Sequence, residues 1–282
     1  MFTRIKTGLS LARSSWRVLM NDKKLLVFPM LSGFLSLLVI ASFGFPLFRL
    51  FQEGHLFDEQ HHLRPWVYPI AFAAYFSVYF VIIFCNSAMI TCVILKLDGK
   101  EATLGDGLRG ALSRRRQILA WAIVSACVGV ILMAIESHKR GGELIARLLG
   151  AAWSIMTYFA LPVLVVQNVG PIQAIKGSAS LLRKTWGEAL VGRTGLGLFS
   201  LLLAVPVGIL YVAAYYLWHQ NHSMGLIAFG VAGLATLLYL AMTSAMNTVF
   251  LTALYEYAAF NRTSKEFDTQ TLAVAFTPKT HK

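Results

Sequence analysis

The sequence predicts an all-α fold, a polytopic membrane bundle of six transmembrane helices with about three basic amphipathic helices at the interface. Three observations predict it. Of 282 residues, 57% are hydrophobic and only 13% charged, about half the charged share of an ordinary soluble domain, which argues against a soluble enzyme. Six apolar runs reach the roughly 20 residues that a helix needs to cross the hydrocarbon. They are Leu25–Phe48, Trp66–Leu95, Ile118–Ile135, Leu144–Val166, Leu196–Trp218 and Met224–Tyr255. Finally, the net charge of +12 falls on one side once these runs are threaded through a membrane.

With both termini on one face, segments 1–24, 96–117, 167–195 and 256–282 carry twenty Lys and Arg, and the rest of the chain carries five. Basic loops stay in the cytoplasm, so the expected location is a cell inner membrane with both termini cytoplasmic. The acids divide eight to five, which leaves the whole basic excess on the cytoplasmic side. Topology and anionic lipid account for that excess, and no nucleic-acid partner is expected. The first run is too long for a signal peptide and lacks a small-residue cleavage site, so it reads as a retained span. Pro69, Pro162 and Pro206 lie inside runs, and each predicts a kink because proline removes a helix hydrogen bond and crowds the preceding turn. Cys85, Cys92 and Cys127 all fall within runs and give no disulfide framework.

The short helices announce themselves as a repeat. Residues 5–16, IKTGLSLARSSW, and 175–186, IKGSASLLRKTW, are identical at six of twelve positions, and LRGALSRRRQIL at 108–119 is a weaker third copy. Ile5, Leu9, Ala12, Trp16 and Leu19 form one helical stripe, with Lys6, Ser10, Arg13 and Arg17 on the other face. Ile172, Ile175, Ala179, Leu182 and Trp186 make the same stripe behind a Gly170-Pro171 start. Thr103 and Asp106 resemble a capping box before the middle copy. Each copy precedes an odd-numbered span, so the chain parses as units 3–95, 103–166 and 170–257 in a single transmembrane domain, 1–258. A polar tail, 259–282, is expected to be disordered. Basic helices carrying tryptophan suit the headgroup boundary. The expected anionic-lipid contacts are Lys6, Arg13, Arg17, Arg114, Arg115, Arg116, Lys176, Arg183 and Lys184.

Polar side chains deep in a span are functional suspects, because an unsatisfied polar group in hydrocarbon is costly. Asn86 with Thr91 in the second run and Asn247 with Thr252 in the sixth are spaced identically, and Asn168 closes the fourth. They read either as a polar intramembrane path or as interhelical hydrogen-bond glue. Six of seven histidines sit in or beside the non-cytoplasmic loops: His55, His61, His62, His138, His219 and His222. His219 and His222, three residues apart, could put both rings near one metal ion. Solvated or interfacial imidazoles are the plainer reading, and no metal or cofactor is expected. The chain has no phosphate-binding glycine loop, dinucleotide fingerprint or Gly-x-Ser-x-Gly elbow, so no catalytic residue is predicted and the chain is not expected to be an enzyme.

The segment ARSSWRVLMNDKKLLVFP, with Ser15, Trp16 and Asp22–Pro29, resembles an uncharacterised family of bacterial six-span integral membrane proteins. More distantly, Pro171–Trp186 resembles the membrane domain attached to some glycerophosphodiester phosphodiesterases. The resemblance implies an integral inner-membrane protein and supplies no catalytic residue; the soluble phosphodiesterase domain is missing from this chain. The expectation is therefore a non-catalytic scaffold or accessory protein that interacts with anionic membrane lipids, and with a protein partner or a second copy of itself. The alternative is a transporter, channel or lipid-handling protein with a polar route along the second and sixth spans.

Overall fold

A computed structural model describes residues 2–56, 64–136 and 142–262, with side chains outside 2–7 and 186–193. His61, His62, His138, the side chains of Lys6 and Trp186, and the tail beyond 262 therefore lie outside the described residues. No strand occurs among the described residues. The helices are α1 (Phe2–Asn21), α2 (Val27–Gln52), α3 (Val67–Leu97), α4 (Leu104–Ser113), α5 (Arg115–Glu136), α6 (Gly142–Met156), α7 (Ala160–Gln167), α8 (Pro171–Gln220) and α9 (His222–Phe260), with a 3-10 turn at Lys23–Leu26.

Six segments are long and apolar enough to cross a bilayer: Lys23–Gln52, Val67–Leu97, Arg115–Glu136, Gly142–Gln167, Thr194–Gln220 and His222–Phe260. Each coincides with one of the six apolar runs. This is a multi-pass, all-helical membrane protein. A shorter helical segment precedes the first, third and fifth spans.

Helix ends follow backbone chemistry. Gly54 (φ 73°) and Gly99 (φ 76°) adopt the left-handed conformation just past α2 and α3. In each case the next amide reaches back into the helix, His55 to the Leu50 carbonyl and Lys100 to the Leu95 carbonyl, both at 2.9 Å. Asn168 and Asn261 take the same left-handed role after α7 and α9, which asparagine tolerates better than most side chains. Asn221 caps α9 by accepting from the Ser223 and Met224 amides.

Contacts divide the chain into two compact units, 1–30 with 92–104 and 183–282, and 31–91 with 105–182. In the first unit α1 packs on α9. Leu11, Ala12, Ser15, Val18 and Leu19 are buried along α1, while Arg13 and Arg17 are exposed. Trp16 meets Phe199 of α8 with ring centroids 5.7 Å apart. Asp22 and Lys96 pair at 3.1 Å, both largely shielded.

In the second unit α5 packs on α6, with Trp121 and Trp153 stacked at 6.0 Å. Small residues set the close approaches. A Cβ placed on Gly110 of α4 would lie 2.5 Å from Thr91 of α3, and one on Gly177 of α8 would lie 3.1 Å from Val163 of α7. Gly110 and Gly177 are matching positions of the repeat, so both copies use a glycine at a helix crossing.

The backbone departs from the expected kinks. Pro69 lies in the first turn of α3, where the missing N–H has no intrahelical partner to lose. Helical angles persist through Pro206. The fourth span does break, between Met156 and Ala160, shortly before Pro162. A second departure falls at Thr185 (φ −121°, ψ 21°), with no proline near it and Gly187 two residues on. At the first break the freed Phe159 amide donates to Ser178 Oγ at 2.8 Å, both residues being fully buried. Replacing Ser178 with alanine leaves that amide unpaired in the interior, an expected loss of about 1–3 kcal/mol, read as a lower unfolding temperature in nanodiscs. An unchanged temperature would refute that role.

Candidate functional site

The short helical segments present their cations outward. Arg13, Arg17, Arg115, Arg116, Lys176, Arg183 and Lys184 are exposed. Large aliphatic side chains are exposed beside them: Leu108 and Leu112 on α4, and Ile172, 70% exposed, on α8. The surfaces that face protein are instead small, Gly107 and Ala111 on α4 and Ala174 and Ser178 on α8. Of the Ile172–Ile175–Ala179–Leu182 stripe that hydrophobicity alone selects, only Leu182 is buried; the buried face of this segment is rotated toward Ala174 and Ser178. Close helix contact favours small residues, and a bulky aliphatic loses little by facing lipid.

Arg114 differs from its two neighbours. It is half-buried, and its Nη1 donates to the Gly110 carbonyl at 2.9 Å and to Ser113 Oγ at 3.3 Å. Burial pulls its guanidinium below the usual arginine range. A cation bonded to the last carbonyls of α4 opposes the negative end of that helix. Arg115 also reaches back, to the Leu112 carbonyl at 3.5 Å.

The intramembrane polar residues separate into two kinds. The two threonine hydroxyls are satisfied within their own helices: Thr91 donates to the Ser87 carbonyl at 2.9 Å and Thr252 to the Thr248 carbonyl at 2.7 Å. Such back-bonding lets threonine sit in an apolar span without an external partner. The amides are different. Asn86 is half-buried and Asn247 exposed, and neither has a hydrogen-bond partner among the described residues. Within each pair the five-residue spacing puts asparagine and threonine about 140° apart around the helix; Thr252 is fully buried while Asn247 faces outward. Asn168 is exposed at the left-handed residue that ends α7. Asn86, Thr91 and Asn168 belong to one compact unit, Asn247 and Thr252 to the other.

His219 lies edge-on against Tyr215 at 4.7 Å, and His222 sits on Trp218 at 4.6 Å. Among the described residues no three His, Cys, Asp or Glu side chains converge as a metal site needs.

One feature escaped sequence reasoning. A cleft of about 430 Å³ opens beside the Thr185 bend, lined by Lys184, Thr185, Tyr257 and Ala258–Asn261. It combines one ammonium, a phenol and the C-terminal end of α9. No sequence signal marks it, because it depends on a bend that lacks a proline.

The model of DUF6159, a family of unknown function, matches residues 66–265. The Ser15–Pro29 segment lies before the matched region. No curated protein matches the chain, and no solved structure does.

Proposed function

The chain belongs to DUF6159, a family of unknown function, and from that footing we propose that it is a non-catalytic accessory protein of the inner membrane that gathers anionic phospholipid at its cytoplasmic surface. Six crossings put both termini on one face, and the distribution of twenty basic residues against five makes that face the cytoplasm. The observation that carries the reading is the pairing of exposed cations with exposed aliphatics on the same short helices, Arg109 with Leu108 and Leu112, and Lys176 with Ile172. Side chains of both kinds on one surface match the boundary between headgroups and acyl chains. The cleft beside Lys184 offers a further place for a headgroup. Transport is the competing reading, and the opposed faces of Asn247 and Thr252 weigh against a continuous polar lining along α9.

The test is the lipid retained by the full chain after gentle extraction into nanodiscs from a mixed bilayer. Anionic phospholipid should be enriched over its bulk fraction. Replacing Lys176, Arg183 and Lys184 with glutamine should reduce that enrichment substantially, since each cation near an anionic surface contributes about 1 kcal/mol. A retained-lipid composition equal to the bulk would overturn the proposal.

A further inference from the structure

The outward face of α9 carries a feature that lipid cannot satisfy. Leu226, Gly230, Leu237, Leu240, Ser244 and Asn247 all lie exposed on one side of this helix. With Gly233 and Leu251, these positions advance alternately by four and three residues from 226 to 251, the spacing of a seam that a second helix can follow. The seam is about 38 Å long at 1.5 Å per residue, enough to cross the roughly 30 Å hydrocarbon layer. Its glycines and serine let a second backbone approach closely.

Leucines and glycines alone would be content against acyl chains. Asn247 would not. It lies nine residues inward of Glu256, about 13 Å along the helix, and therefore well inside the hydrocarbon. Its amide offers two donors and an acceptor, and it has no hydrogen-bond partner among the described residues. Thr243, Thr248 and Thr252 nearby have each bonded to their own helix, so Asn247, with the Ser244 hydroxyl one turn before it, supplies the polar groups of the seam and its only carboxamide.

We propose that α9 forms the interface of a homodimer in which the two copies of Asn247 bond to each other across a two-fold axis. A carboxamide is its own complement, donor to acceptor in both directions, so a second copy related by a two-fold satisfies both groups with the same residue. A single asparagine in a largely apolar seam also fixes the register and number of the associating helices. This inference rests on α9 crossing the membrane and is independent of the lipid-gathering proposal.

The experiment uses the full chain with Cys127, the one exposed native cysteine, changed to serine. Subunit number in nanodiscs is counted by single-molecule photobleaching across a range of protein-to-lipid ratios. The expected result is a dimer, with Asn247→Leu raising its dissociation constant about tenfold, as the loss of interhelical hydrogen bonding predicts, and Asn247→Gln largely restoring it. Cysteines placed singly at Leu237 and Leu240 should cross-link between subunits, whereas one at Leu238, exposed on another side of α9, should not. Asn247 is exposed, so its substitution leaves the fold intact, and the cross-links report the interface without touching it. A monomer at all ratios, a dimer indifferent to Asn247→Leu, or cross-linking at Leu238 equal to that at Leu240 would each overturn the proposal. A seam occupied by a different protein would give the first of these outcomes.

Discussion

Replacing Gly195 with leucine should detach α1 from α8 and give the largest loss of stability of any single substitution in the spans. A Cβ at Gly195 would collide with the backbone of Gly8. A backbone cannot rotate aside as a side chain can, so relief requires the two helices to separate. Overpacking of an ordinary core costs about 1–3 kcal/mol, and a collision with backbone rather than a side chain puts this site at the upper end. A loss of about 3 kcal/mol is expected. Gly197, two residues on, is exposed, and a Cβ added there would meet nothing within 4 Å, which makes Gly197→Leu the matched control. Thermal unfolding in nanodiscs should show a lowered midpoint for Gly195→Leu and none for Gly197→Leu. Limited proteolysis should then cut α1 first. Equal midpoints for the two variants would show that the close approach carries no such weight.

That contact illustrates which features the sequence announces and which it hides. The six spans were legible because a run of about 20 apolar residues has few other uses, and the left-handed residues were of the expected types, glycine and asparagine. The packing faces were not. On α1 hydrophobicity selects Ile5, Leu9, Ala12, Trp16 and Leu19, whereas the buried set is Leu11, Ala12, Ser15, Val18 and Leu19. Along the first turns of α8, Ala174, Ser178 and Leu182 are buried and Ile172 points out. In water a stripe of large apolar residues marks the inward face; in a membrane large residues can face either way, and small ones mark the contact. Gly110 and Gly177 could have been found on that rule, since the repeat aligns them. Ser178 as the acceptor for the Phe159 amide could not, because it depends on where the fourth span breaks. The same holds for the pair Asn86 and Thr91: spacing placed them on one helix but left open that the hydroxyl would bond to its own turn and the amide would not.

Exchanging Arg114, Arg115 and Arg116 for glutamate should abolish correct insertion of the third span, and the three positions should contribute by two separable routes. The change converts segment 96–117 from six bases and three acids to three bases and six acids. Retention of a loop in the cytoplasm depends on its lysines and arginines more than on its acids, so glutamine should serve nearly as well as glutamate. At about 1 kcal/mol for each cation near the anionic surface, losing three shifts the balance by about 3 kcal/mol, over a hundredfold. Arg115 and Arg116 are exposed at the start of α5 and should act chiefly through this route, Arg115 adding only its long 3.5 Å bond to the Leu112 carbonyl. Arg114 acts also in the folded state, since its Nη1 bonds the Gly110 carbonyl at the end of α4. A glutamate there would set a carboxylate against the negative end of that helix and remove a hydrogen bond. Reporter fusions on both sides of the third span should therefore report inversion or loss of yield for Arg115→Gln with Arg116→Gln. Arg114→Gln alone should keep the topology and lower the unfolding temperature. A normal fusion pattern and full yield for the triple glutamate variant would mean that the orientation is fixed elsewhere in the chain. The twenty-to-five division of basic residues would then describe the chain without directing it.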